Sequence, residues 1–378
     1  MNTLIEILDY ELTENIISPL VFRFDHLIYL YDEHHDDAMK RQNLYDFLMK
    51  KGNHDIQFIK ASGQLDLFFK DLSEKYPDAI YHLSNGTRTL LVQMAQFCER
   101  SKQRCYTMNF QKKVFTDLMG CSDLKQQFYI PKMSIEELIS LRDGEILKTS
   151  HALPVLDEKM TKELMTSIEM MNSDSVAWSK LLSSFAKSMK DNEGLPELWI
   201  DTPTDHAQKT LLDRMDEHHI VHVHQHNQKM RIDFVNPSLM KLFADSGAWL
   251  EYQSYLECVR SQRFDDVRIS TVIDWDKHSE NPNDPTCEID LIVIKDCISA
   301  FVSCKLNKCT ALDIYEIKLL SEKLGGSLAK AAVITKTGSL QKGTPLSLKA
   351  EHLDVKIVDQ KMIEDGKIAE ELEKFLKS

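Results

Sequence analysis

Several familiar signatures are missing from this 378-residue chain. It has no GxGxxG turn and no GxxxxGK[ST] loop, which argues against a standard dinucleotide or Walker-type site. Its eight cysteines, Cys98, Cys105, Cys121, Cys258, Cys287, Cys297, Cys304 and Cys309, make no CxxC pair and no knot-like spacing. They read as small buried hydrophobes in a reduced cytoplasm. No apolar run reaches the ~18 residues that a membrane-spanning helix needs. The opening residues carry Glu6 and Asp9 in place of a basic-then-apolar signal pattern. Positive charge is also short, with 46 Lys and Arg against 59 Asp and Glu, for a net charge of −13. That argues against a passive nucleic-acid coat and leaves room for an enzyme with a local basic channel. The deficit is uneven: residues 305–378 hold 13 Lys against 11 Asp or Glu, a net +2, and the remainder is −15. The C-terminal segment is therefore the better face for phosphates, although a solvated Lys-rich surface has the same composition.

What is present is a globular composition, 43% hydrophobic and 28% charged, long enough for two or three domains. Residues 1–130 alternate apolar strands (4–10, 26–33, 55–61, 79–84, 104–110) with amphipathic helices (38–52, 64–76, 87–101). This rhythm predicts a mostly parallel sheet covered by helices on both faces. In such sheets ligands sit beyond the carboxyl ends of the strands. The fourth strand runs directly into Ser84-Asn85-Gly86-Thr87-Arg88 and then into a helix. Gly86 permits close backbone approach, the neighbouring side chains are short and polar, and the unpaired amides of the helix start can hold an anion or nucleotide. The plainer reading is an N-cap and an ordinary turn. Asp9 and Glu11 end the first strand, and Asp32, Glu33 and His34 end the second, all on the same rim. An anionic ligand suits that rim only if its bases or ribose hydroxyls face the acids.

Residues 131–246 lack this rhythm. Helices at 157–171, 176–191 and 206–219, followed by a hairpin at 220–225 and 230–235, suggest a small winged-helix-like connector. His222, His224 and His226 share one strand face and invite a metal reading. Same-face neighbours on a straight strand lie ~6.5–7 Å apart, and zinc draws ligands from more than one element, so surface histidines are the better reading.

Toward the C-terminus, Asp245-Ser246-Gly247 is expected to cap a helix at 248–261. Strands follow at 268–276 and in a hairpin over 287–305. Glu288 and Asp290 share one face of the first hairpin strand, as Ser303 and Lys305 do on the second. Two carboxylates and an ammonium at one end of a hairpin can hold a divalent metal and a phosphate. A helix at 310–326, strands at 329–335 and 355–360, and a charged helix at 362–377 complete the pattern.

The order helix, three strands, helix, strand places an acid on the first helix (Glu251) and another opening the second strand (Asp290). Ser303-Cys304-Lys305 then sits on the third strand, and the whole arrangement resembles the PD-(D/E)XK nuclease core. Combined with GAWLE at 247–251 and an N-terminal sheet ending in Ser-Asn-Gly-Thr-Arg, the chain resembles the CRISPR-associated CARF-domain nucleases of type III systems. The resemblance implies an α/β protein in three parts: a Rossmann-like CARF sensor (1–135), a connector (136–240) and a restriction-endonuclease-like domain (241–378). It implies a homodimer that binds cyclic tetraadenylate through Ser84, Asn85, Gly86, Thr87 and Arg88, with Asp9 and Glu11 on the rim. It also implies Mg²⁺ or Mn²⁺ held by Glu251, Glu288, Asp290 and the Cys304 carbonyl. Lys305 would orient water or neutralise the scissile phosphate of DNA or RNA, with Glu316 positioning Lys305. The departure is Ser303, where the pattern has Asp or Glu. A hydroxyl is a poor substitute at a hard-cation site, so Glu288 is expected to supply the missing charge. The alternative is a ligand-sensing, nucleic-acid-binding regulator whose nuclease core is degenerate.

Overall fold

The computed structural model describes residues 2–33, 36–53, 55–109, 112–127, 130–149, 157–191, 197–243, 247–277, 285–306 and 308–378. His34, Asp245, Ser246 and residues 278–284 lie outside these.

The first six strands form one sheet: β1 (Thr3–Ile7), β2 (His26–Tyr31), β3 (Ile56–Lys60), β4 (Ile80–His82), β5 (Arg104–Asn109) and β6 (Val114–Met119). Their order is β3-β2-β1-β4-β5-β6, parallel except for β6, which runs antiparallel to β5. Strand order reverses between β1 and β4, which makes their carboxyl ends the ligand crevice of this architecture. The sheet is apolar on both sides: Ile5, Ile7, Ile28 and Tyr81 pack into one cluster, and Leu4, Leu27, Tyr29 and Ile80 into another. A helix over Leu12–Phe22, not evident in the sequence, covers the second face. Pro19 lies inside it, and Thr13, Asn15 and Ser18 are buried on it, so its apolar period is broken.

Two further sheets follow. β7 (Glu145–Thr149) precedes the connector strands β8 (Glu197–Asp201), β9 (Val221–His226) and β10 (Lys229–Phe234), which form an antiparallel sheet in the order β8-β10-β9. Helices Glu158–Ser173, Ser175–Asp191 and His206–Glu217 and the β9–β10 hairpin lie where the sequence predicts helices and a hairpin. The last sheet contains β11 (Asp266–Asp274), β12 (Thr286–Lys295), β13 (Ile298–Lys305), β14 (Lys330–Thr335) and β15 (Val355–Val358). Its order is β15-β14-β13-β12-β11-β7. β7 thus belongs to the C-terminal sheet, paired with β11, although it falls inside the segment expected to be connector.

The short helix Ile135–Leu141 ties the first and last sheets into one core. Ile135, Leu138, Ile139 and Leu141 are buried in the cluster that includes both Leu44 of the N-terminal unit and Ile292 of β12. Ser134 and Glu137 close its start as a capping box, and Lys51 pairs with Glu137 at 2.6 Å. Arg142, just past this helix, pairs with Glu11. The Ser327 amide donates to the same Glu11 carboxylate at 3.3 Å. Both contacts crowd Gly326, which ends helix Ala311–Gly325 with φ of +81°. A Cβ at Gly326 would lie 1.8 Å from Arg142 Nη2 and 2.3 Å from Glu11 Oε2.

Gly326→Ala is therefore expected to destabilise the protein by on the order of 2 kcal/mol or more, through backbone strain and a displaced ion pair. Gly338→Ala, at an ordinary φ and with only a Gln341 side chain at 3.5 Å, is the control. Thermal unfolding checks both: equal midpoints for the two variants would contradict the junction described.

Candidate functional site

The ladder between β12 and β13 runs from Lys295–Ile298 to Leu291–Val302 and stops there. Beyond it the strands separate, while β13 stays paired with β14 as far as Lys305–Thr335. The Asp290 carboxylate fills the gap. Its Oδ2 accepts from the Cys304 amide at 2.6 Å and from Ser303 Oγ at 3.3 Å. The cleft that results, about 80 Å³, is lined by Glu288, Asp290, Ser303, Lys305, Asp313 and Glu316 among others. Burial pushes the Asp290 carboxyl above its ordinary range, although the Cys304 amide, Lys305 and Ser303 pull the other way. Burial also opposes the Lys305 charge, but Asp290 and then Asp313 hold its pKa above the ordinary value. Asp313 Oδ1 lies 3.3 Å from Lys305 Nζ.

The sequence expectations map unevenly onto this cleft. Glu288, Asp290, Ser303, Lys305 and Glu316 converge in it. Glu251 does not line it. It is buried on helix Ala248–Ser261, where its Oε2 accepts from Ser270 Oγ at 2.7 Å. The GAWLE run is explained by helix geometry, since Trp249 fills the connector core against Trp178 and Phe243 while Leu250 joins the other core. The Cys304 side chain points to that helix, 3.9 Å from Ser254 Oγ. Asp313 went unnoticed because Thr310-x-x-Asp313 reads as a capping box, which it also is. No three His, Cys, Asp or Glu side chains form a preformed metal cage among the described residues. Mg²⁺ is commonly held by one or two carboxylates plus water and substrate phosphate. Glu288 and Asp290 meet that minimum.

A second site lies where β1 and β4 end. Gly86 has φ of +96°, and a Cβ there would lie 2.2 Å from Ile7 Cγ2, so only glycine fits. Its amide donates to Asp9 Oδ2 at 2.7 Å. Ser84 Oγ accepts from the Met108 amide at 2.7 Å. Thr87 directs its hydroxyl to Asp32 at 3.1 Å, so it makes no side-chain cap for helix Arg88–Ser101. Arg88 is exposed on the first turn. Asn85 is 1% exposed, and neither atom of its amide has a partner among the described residues, at a cost of roughly 1–3 kcal/mol. Glu11, expected on this rim, instead reaches the domain junction, because Arg142 and the Ser327 amide lie within its grasp. Beneath the turn, the Glu6 carboxylate lies 2.8 Å from His82 Nδ1 and accepts from Asn15 Nδ2 at 3.2 Å. Burial holds the Glu6 carboxyl above its ordinary range. His222 and His224, elsewhere, lie beside Asp216 and Asp233.

No family model and no curated protein matches the sequence. Solved structures do match. VC1899 from Vibrio cholerae aligns over 100% of this chain and 98% of its own, with a TM-score of 0.79 at 14% identity. Can2 from Sulfobacillus thermosulfidooxidans, solved with cyclic tetra-adenylate, aligns over 100% and 97%, with a TM-score of 0.68 at 13% identity. The chain shares their fold from end to end. A type III CRISPR defence DNA nuclease activated by cyclic oligoadenylate matches over 96% of this chain and 51% of its own (TM-score 0.51, 12% identity). The α/β class read from the sequence, with a mostly parallel N-terminal sheet, is the one observed. No helix among the described residues is long and apolar enough to cross a membrane.

The buried charge of Asp290 sets a pH test. With its folded pKa raised, the folded state holds more protons than the unfolded one, so stability falls as pH rises from the ordinary carboxyl range through the raised value. Asp290→Asn keeps an acceptor for the Cys304 amide and removes the charge. Without divalent cations it is expected to unfold at a higher temperature than wild type at pH 7, with the gain vanishing at pH 3–4 (roughly the ordinary carboxyl range). A variant less stable at pH 7 would contradict the burial described.

Proposed function

We propose that this chain is a cyclic-tetraadenylate-activated, divalent-metal-dependent endonuclease of type III CRISPR defence, cutting DNA or RNA as a homodimer. One conjunction supports the reading: a helix start without a side-chain cap at the switch point of one sheet, and an Asp290–Lys305 cleft where strands part in another. The full-length likeness in fold to Can2 adds weight.

In the cleft, Asp290 and Glu288 would hold Mg²⁺ or Mn²⁺, with the Cys304 carbonyl as a further candidate, whereas Glu251 is engaged by Ser270 outside it. The bound cation supplies Lewis acidity toward the attacking water and the phosphate. Ser303 and the Cys304 amide fix the rotamer of Asp290. Lys305 places a compact positive charge on a non-bridging phosphate oxygen, where charge grows as water adds to phosphorus and the P–O bond breaks. Asp313 and Glu316 position the Lys305 ammonium from the neighbouring helix.

In the sensor, Ser84, Asn85, Thr87 and Arg88 take the phosphates and riboses of the ring at a two-fold axis. Asp9 shapes the turn through Gly86. Asp9 and Glu11 belong to the same short segment after β1, and Glu11 reaches the C-terminal end of the helix that carries Asp313. Ligand at the turn thereby biases the cleft, a coupling between distinct sites.

Incubating the protein with supercoiled plasmid, single-stranded DNA and RNA, with and without Mn²⁺ and cyclic tetraadenylate, tests the whole. Cleavage requiring both additions is expected, lowered roughly a thousandfold or more in Asp290→Ala with ligand binding intact. Wild-type cleavage by Asp290→Ala would overturn the site. No cleavage under any condition would favour a ligand-sensing regulator instead.

A further inference from the structure

Tyr10 is a large aromatic left 68% exposed at the ligand crevice, between Asp9 and Glu11. Exposed rings on loops are ordinarily free to move, but here the backbone is fixed on both sides of Tyr10 and Lys40 covers one face of the ring. The Asp9 amide donates to Asn15 Oδ1 at 2.8 Å, and the Glu11 amide donates to Asp9 Oδ1 at 3.0 Å. Asp9 is in turn fixed to the Gly86 amide and Glu11 to Arg142. Lys40 Nζ donates to the Tyr10 carbonyl at 3.2 Å and lies 3.1 Å from the ring centroid. Lys40 is itself placed by the first turn of helix Ala38–Lys50, capped by Asp37.

Resting on the sensor reading above, we propose that Tyr10 is the stacking platform for one base of the cyclic oligonucleotide, with Lys40 backing the ring's other face. A planar base covers the apolar ring face that solvent now wets, and aromatic stacking is tolerant of base identity. Lys40 holds the ring without side-chain ordering at the moment of binding, so the entropy of fixing it is already spent. The arrangement also removes the conflict between an anionic ligand and an acidic rim. Asp9, Glu11, Asp32 and Glu33 each engage a protein donor, so the crevice offers a ring and Arg88 beside carboxylates that are already partnered. Base and phosphate are then divided between Tyr10 on the β1 side and Thr87–Arg88 on the β4 side.

Calorimetry with cyclic tetraadenylate on the full-length protein tests this, using wild type, Tyr10→Ala and Tyr10→Trp, with thermal unfolding of each as the check on folding. Tyr10→Ala is expected to bind roughly ten- to a hundredfold more weakly at an unchanged midpoint. Tyr10→Trp should bind within a few-fold of wild type, and its added tryptophan emission should be quenched by the ligand. Wild-type affinity in Tyr10→Ala, or no added quenching in Tyr10→Trp, overturns the platform and leaves the sensor reading standing. No binding by folded wild type overturns the sensor reading itself, and the platform with it.

Discussion

Arg142 stands where the N-terminal sheet, the short helix Ile135–Leu141 and the C-terminal domain meet, and the relative placement of the two candidate sites depends on it. Its guanidinium is mostly buried and is taken by Glu11, while its Nε is buried without a partner among the described residues. Removing one member of such a pair leaves an uncompensated charge, at a cost of roughly 3–5 kcal/mol. Gly326 is glycine because neither its φ nor the space beside the ion pair admits a side chain. The surrounding core is continuous across the two sheets, so a displacement at the end of β1 meets packed atoms and not a hinge.

The cleft depends on a second constraint, the parting of β12 from β13. An intact ladder would pair the Cys304 amide with a backbone carbonyl. Here it is given to Asp290, and the carboxylate becomes part of the sheet's hydrogen bonding. That substitution costs the protein a buried charge, visible in the raised pKa of Asp290. It also gives Ser303 a role that a carboxylate could not fill, since a second anion cannot donate to Asp290. Ser303 and the Cys304 amide together hold the Asp290 carboxylate in place.

Much of this was legible in the sequence, for reasons that differ by element. Strands β1, β2 and β12–β14 are apolar runs bounded by turn residues, and the alternation along β12 and β13 put Glu288, Asp290, Ser303 and Lys305 on one side. The Ser84–Arg88 turn followed from short polar residues and one glycine ahead of an amphipathic helix. The helix over Leu12–Phe22 escaped notice because buried Asn15 and Ser18, which satisfy Glu6 and His82, break its apolar period. Glu11 is placed on the rim by the end of the first strand, and Glu251 in the cleft by the acid that the PD-(D/E)XK pattern carries on its first helix. Their actual partners, Arg142 and Ser270, lie 131 and 19 residues away, and nothing local announces such pairings. Strand β7 was missed for the same reason, since its partner β11 lies beyond the whole connector.

The Glu11–Arg142 pair links the segment after β1 to the C-terminal domain, and we propose that ligand at the N-terminal crevice acts on the C-terminal cleft through it. Mn²⁺-dependent plasmid cleavage by wild type and Arg142→Gln, each with and without saturating cyclic tetraadenylate, tests it most directly, with ligand affinity measured alongside. Arg142→Gln, at ligand concentrations that saturate it, is expected to bind the ligand and no longer be stimulated by it. Stimulation of Arg142→Gln equal to that of wild type would contradict it.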